Sequence, residues 1–292
     1  MTSTQLIESI SKIVNQYELF LIDQWGVLHN GYIGYPSAIN CIKDLIKLRK
    51  KLIIISNSSK RKNPTIERLP KLGFNKIDFF EVITSGEIIW QNLYLKSHDF
   101  FKDLGNKCYH LTGKSKEDGN KYIEGLDYEF VNNIENADFI LGSTTFPGMS
   151  TIDYVPILEQ AFKKNLPFIC ANPDFETVES TSKNLIICMG AVAELYKDFG
   201  GSVFMMGKPS KHIYYEAIKN LNNIDKNKIL AIGDSLYHDI KGACNFGIDS
   251  LFISSGIHKS YFAQPSFKWE NINNYFSKFK VSPTYLCSEF RF

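Results

Sequence analysis

The sequence has little that would tie it to a membrane, a nucleic acid or an oxidising compartment. It contains no run of about 18 apolar residues, so no segment reads as a bilayer-spanning helix. Its first stretch, Met1 to Gln16, lacks a basic region followed by an apolar one, so no signal peptide is expected. An excess of either charge is also missing. The 33 basic and 31 acidic residues leave a net charge of +2, which gives no electrostatic case for nucleic acid or an anionic membrane as a partner. The six cysteines (Cys41, Cys108, Cys170, Cys188, Cys244, Cys287) form no C-x-x-C pair, and most sit beside apolar residues as small hydrophobes. Neither a disulfide framework nor a zinc centre is expected, and the cytoplasm is the expected location.

What remains is an ordinary globular composition, 44% hydrophobic and 22% charged, over 292 residues. That length exceeds one compact core and predicts a large domain with an insertion, or two domains. Short apolar runs alternate with polar or Gly-rich loops and helical patterns. Leu19–Ile22 ends on Asp23, with Gly26, Gly31 and Gly34 in the loop behind it. From Pro36, the apolar positions Ala38, Cys41, Ile42, Leu45 and Ile46 follow the spacing of one buried helix face. Leu52–Ile55 runs into Ser56-Asn57, Val203–Met206 into Gly207-Lys208-Pro209, and Ile229–Ile232 into Gly233-Asp234. Continuous apolar strands alternating with amphipathic helices predict an α/β fold, a doubly wound parallel sheet covered on both faces. A further strand and helix series over residues 88–187 reads as an inserted α/β domain. The expected division is therefore a core of 1–87 and 188–292 with a cap of 88–187.

In doubly wound sheets chemistry gathers at the carboxyl ends of the strands. Those ends here carry Asp23, Ser56, Lys208 and Asp234. Two carboxylates can hold a hard divalent ion such as Mg2+, a hydroxyl and backbone N–H groups can bind phosphate oxygens, and an ammonium supplies fixed positive charge. Phosphoryl transfer needs chiefly an in-line nucleophile and neutralised equatorial charge, which this set provides.

Four motifs in this order, Asp23-Gln24-Trp25-Gly26-Val27-Leu28, Ser56-Asn57, Gly207-Lys208-Pro209 and Gly233-Asp234 with Asp239 beyond, resemble those of the haloacid dehalogenase (HAD) superfamily. The insertion, with Ala171-Asn172-Pro173-Asp174 and Gly190-Ala191 at its end, is similar to the cap of subclass IIA, the NagD-like and 4-nitrophenylphosphatase-like branch. The resemblance covers about Phe20 to His258. It implies a Rossmannoid core and a Mg2+-dependent phosphohydrolase acting on a small phosphorylated metabolite through an aspartyl-phosphate. It further implies Asp23 as nucleophile and metal ligand, the Trp25 carbonyl and Asp234 as the other protein ligands, and Asp239 supporting the metal shell or Lys208. Ser56, Asn57 and Lys208 would bind phosphate, and Asn172 and Asp174 would help choose the substrate. This branch often dimerises through the cap, so a homodimer is the expectation.

One position departs from the family pattern. A second Asp usually lies two residues after the nucleophile and protonates the leaving group; here that residue is Trp25. Loss of a general acid typically costs about 10²–10⁴-fold in rate. Substrates with good leaving groups, such as aryl or acyl phosphates, are therefore expected, or a substitute acid, with His29 and Asp174 as candidates. A phosphate-binding protein with weak or no hydrolytic activity, and a phosphotransferase, are the alternatives that share this site.

Overall fold

The structure, a computed structural model, describes residues 4–113, 116–177, 186–221, 224–264 and 268–292. Seven parallel strands form the first sheet, in the order Gln5–Leu6, Tyr285–Cys287, Asp249–Ile253, Ile229–Gly233, Leu19–Ile22, Lys51–Ser56 and Glu81–Thr84. The period-2 geometry of a strand sends successive side chains to opposite faces, so a strand apolar throughout must be covered twice. Phe20, Ile22, Ile54 and Ile232 bury into one cluster with Ala38, Cys41 and Leu45 of the helix Pro36–Lys47. Leu19, Leu21, Ile53 and Ala231 bury into another with Ile89, Ile213 and Tyr214 from helices on the far face. The doubly wound parallel α/β sheet is thus present.

A second parallel sheet runs Val203–Met205, Phe168–Cys170, Phe139–Thr144, Lys107–Thr112 and Glu129–Phe130. One of its faces joins the cluster around Ile88, Ile89 and Leu93 through Cys108, Phe139, Leu141 and Ile169. The other packs Ile140 and Phe168 against Leu158 and against Val192, Ala193 and Tyr196 of the helix Met189–Asp198. A small antiparallel hairpin, Glu176–Thr177 with Ile186–Ile187, projects from it.

The strand before Lys208 was expected in the first sheet but pairs with Phe168–Cys170 in the second. Its apolar sequence was read correctly as a strand; what sequence could not show was which sheet would receive it. On that packing we propose that the boundary between insertion and core lies near Met206, later than residue 187. The C-terminal segment contributes more than surface packing, because Tyr285–Cys287 inserts between Gln5–Leu6 and Asp249–Ile253. Among the described residues, no helix is long and apolar enough to cross a membrane.

Candidate active site

Asp23 and Asp234 follow the ends of adjacent strands, one residue apart in register, since Ile22 pairs with Ile232. The backbone N–H of Asp23 donates to the carbonyl of Ile232 at 2.9 Å, which ties the two strand ends together. Asp23, Asp234 and Asp239 are all buried, and each offers an oxygen within 4.8 Å of the others. Backbone closes tightly around them. Oδ2 of Asp234 accepts from the N–H of Ile257 at 2.7 Å. A Cβ at Gly26 would sit 1.9 Å from that oxygen and one at Gly256 2.0 Å from it. Gly26 also holds φ +78, a left-handed turn that favours glycine.

The ammonium of Lys208, 2% exposed, bridges Oδ1 of Asp23 at 2.5 Å and Oδ1 of Asp239 at 2.6 Å. Oδ2 of Asp239 accepts from the N–H of Ser235 at 2.9 Å, so this carboxylate is a fixed bracket for the lysine. Burial alone would push the Lys208 ammonium down, but Asp23 and Asp239 raise it well above the ordinary lysine range. One cation does not balance three buried carboxylates. Burial, assisted by Asp239 and Asp174 against the pull of Lys208, pushes the Asp23 carboxyl up to about 7. Burial and the neighbouring Asp23 and Asp239 likewise push Asp234 far above the carboxylate range. A rigid nest of hard oxygen donors short of positive charge fits a divalent cation of the Mg2+ or Ca2+ type.

The other expected residues divide into those the structure brings to this pocket and those it does not. Trp25 and Asp174 line it beside Asp23, Lys208 and Asp234. Ser56 is buried at the end of its strand, where its Oγ accepts from the N–H of Ser58 at 3.3 Å, and it does not line the pocket. The side chain of Asn57 is engaged within the fold. Its Oδ1 accepts from the N–H of Lys208 at 2.7 Å, while its Nδ2 donates to the Lys208 carbonyl at 2.9 Å and to Oδ1 of Asp174 at 2.8 Å. Both ends of the amide are committed, so it positions the lysine loop and the cap loop, and its backbone N–H is the group it has to offer a phosphate. Asn172 does not line the pocket, and its Oδ1 accepts from the N–H of Asp174 at 3.1 Å to shape the loop.

His29 does not serve as a substitute acid. It is buried outside the pocket, its Nδ1 accepts from the N–H of Gly31 at 3.0 Å, and its ring lies edge-on to Trp25. Burial, with Arg68 and Lys60 adding, lowers its pKa to about 4, so it is neutral at pH 7. The ring of Trp25 is held by the same loop, where a Cβ at Gly31 would come within 2.3 Å of it.

His238 lines the pocket, and sequence reasoning passed over it. It sits on a widened turn over Leu236–Ile240, in which the N–H of Ile240 reaches back five residues to the Ser235 carbonyl at 3.1 Å. Its Nε2 lies 3.0 Å from the Pro173 carbonyl, which can only accept, so Nε2 carries the proton. Nδ1 then faces the Ser235 hydroxyl at 3.0 Å, and burial holds the ring below the ordinary histidine range. His238 therefore latches the cap loop to the core. The available signal was its position immediately before Asp239, between two residues already assigned to the site.

Residues 20–128 match a family model described as haloacid dehalogenase-like hydrolase, and residues 205–275 match a second, HAD-hydrolase-like model. An acid sugar phosphatase of Staphylococcus aureus is 24% identical over 248 residues, covering 84% of this chain and 89% of that one. The solved structure of a haloacid dehalogenase-like hydrolase from Brucella suis superposes with a TM-score of 0.81 at 27% identity, covering 97% of this chain and 99% of the other. The p-nitrophenyl phosphatase of Archaeoglobus fulgidus shares the fold, with a TM-score of 0.65 at 20% identity and coverage of 94% and 97%. With the motif residues gathered at the carboxyl end of the first sheet and a second α/β sheet over them, the chain belongs to the haloacid dehalogenase-like hydrolases, in their subclass IIA branch.

Proposed function

We propose that this enzyme is a Mg2+-dependent phosphohydrolase that cleaves small phosphate monoesters through an aspartyl-phosphate on Asp23. The single observation carrying this reading is the convergence of Asp23, Asp234 and Asp239 around one point, with Lys208 locked between two of them. A divalent cation bound there would supply charge neutralisation for the phosphate oxygens. The chain's own groups do the rest. Lys208 holds one oxygen of Asp23, which fixes the direction of the other towards phosphorus. That oxygen forms the new P–O bond as the bond to the leaving oxygen breaks. Water then attacks the acyl phosphate, releasing inorganic phosphate and restoring Asp23. The relatives named as a sugar phosphatase and a p-nitrophenyl phosphatase support the reaction class.

Protonation of the leaving oxygen is the weak point of this site. Position 25 offers no acid, His29 is out of reach, and Asp174 and Glu176 are the carboxyls on the cap side of the pocket. The rate should therefore climb steeply as the leaving group becomes more acidic. The test is turnover of a series of substituted phenyl phosphates with Mg2+ and with EDTA. Activity indifferent to EDTA, or equal rates for alkyl and nitrophenyl esters, would count against the mechanism.

The carboxylate cluster also sets an expected pH dependence. Asp23 is raised from 3.8 to about 7 in the folded protein. A group raised on folding contributes its stability in full below the unfolded value and loses it as pH climbs through the folded one. Metal-free protein should therefore lose on the order of 2–4 kcal/mol between about pH 4 and pH 7 from this group. Mg2+ binds the ionised cluster, so it should raise the melting temperature strongly at pH 7.5 and little at pH 5. Melting curves with and without Mg2+ at the two pH values check this.

A further inference from the structure

The phosphate end of the pocket accounts for Asp23, Lys208, Asp234 and Asp239. The groups left over face whatever is attached to the phosphate. They include Trp25, Ser235 and Ile257 from the core and Asp174, Glu176 and Thr177 from the cap. Lys208 is the one lysine or arginine among the described residues lining this pocket, and both carboxylates that grip it hold it at the phosphate end. His238 also lines the wall, but its protonated nitrogen is turned to the Pro173 carbonyl. Among the described residues, the leaving-group side is thus bounded by two carboxylates, two hydroxyls, Ile257 and an indole, and the guanidinium of Arg68 lies outside this lining at 5.9 Å from the Trp25 ring centroid.

The segment that brings Glu176 there is anchored. Phe175 packs against the rings of Tyr237 and His238, with centroids at 4.7 and 5.0 Å. Pro173 and Asp174 are held by His238 and Asn57. On its other side Glu176 pairs with Ile187 in the hairpin. Glu176 is exposed and lines the pocket from this anchored stretch of backbone.

We propose that Glu176, backed by Asp174, is a specificity-determining residue that excludes substrates whose leaving group carries a second negative charge. This rests on the phosphohydrolase reading above and names the substrate class it takes: phosphate monoesters with a neutral or cationic leaving group. A carboxylate or second phosphate on the leaving group would enter beside Glu176 and the half-buried Asp174, where like charges repel and the one lysine of the described lining, Lys208, is already held by Asp23 and Asp239. Neutral hydrogen-bond donors meet acceptors instead, and a cation meets both carboxylates and the face of Trp25.

The test compares two phenyl phosphates of nearly equal shape, one with a para carboxamide and one with a para carboxylate. For the wild-type chain with Mg2+, kcat/KM should favour the carboxamide on the order of tenfold. Glu176→Gln should shrink that ratio several-fold, and Glu176→Lys should bring it to unity or reverse it. Dissociation constants for both esters, measured on Asp23→Asn with and without Glu176→Lys, give a second readout that needs no turnover. A ratio unmoved by Glu176→Lys, or equal affinity for the two esters in the presence of Glu176, overturns the proposal. If no ester is hydrolysed yet the Asp23→Asn protein shows the charge preference and Glu176→Lys removes it, the specificity assignment stands and the hydrolytic reading falls.

Discussion

Asp23→Asn is expected to lower kcat by about 10⁴-fold or more towards every phosphate ester, while leaving the protein folded. The amide has the shape of the carboxylate and keeps the strand-end hydrogen bond from the Asp23 N–H to Ile232. What it lacks is an anionic oxygen to bond to phosphorus. Substrate affinity should change far less, because the ammonium of Lys208 is retained at the site. The stability readout separates chemistry from structure. Removing one of three crowded carboxylates relieves repulsion in the metal-free protein, whereas Lys208 loses one partner and keeps Asp239. The net change should stay within about 1 kcal/mol. A variant that unfolds, or one that still forms a phosphoenzyme, would remove Asp23 from the role of nucleophile.

The fold was legible because its strands are apolar throughout and its helices amphipathic, a pattern that only a sheet covered on both faces satisfies. Leu19–Ile22 and Ile229–Gly233 announce themselves this way, and each ends directly on a carboxylate. Val203–Met205 carries the same signal but joins the second sheet, since apolar character says that a strand is buried and not which neighbour it pairs with. Tyr285–Cys287 was hidden for a related reason: a three-residue strand is too short to show a period. At the site, types and order of residues pointed to Asp23, Lys208 and Asp234, while division of labour depended on where amide and imidazole groups point. Asn57 follows Ser56 in the phosphate motif, yet its side chain turns to Lys208 and Asp174. His238 acts through Pro173, a contact between segments far apart in the chain.

Lys208→Met should destabilise the metal-free protein by about 3–5 kcal/mol at pH 7.5, because it leaves buried carboxylates without their cation. Methionine fills much of the volume of the lysine stem, so lost packing contributes little and the charge term dominates. The sign of the pH response identifies that term. Without the ammonium, Asp23 loses the group that favours its ionised form, and its folded pKa moves further up. Protonation then relieves the repulsion at moderately acid pH, so the penalty should shrink at pH 5.5 and grow towards pH 8. Added Mg2+ should also recover part of it by meeting the same three oxygens. Urea unfolding of wild type and variant at pH 5.5 and 7.5, with and without Mg2+, resolves these contributions. A penalty equal at both pH values and insensitive to Mg2+ would mean that Lys208 holds the loop by packing alone. In that case the electrostatic account of the site, from the raised Asp23 carboxyl to its demand for a divalent ion, would have to be abandoned.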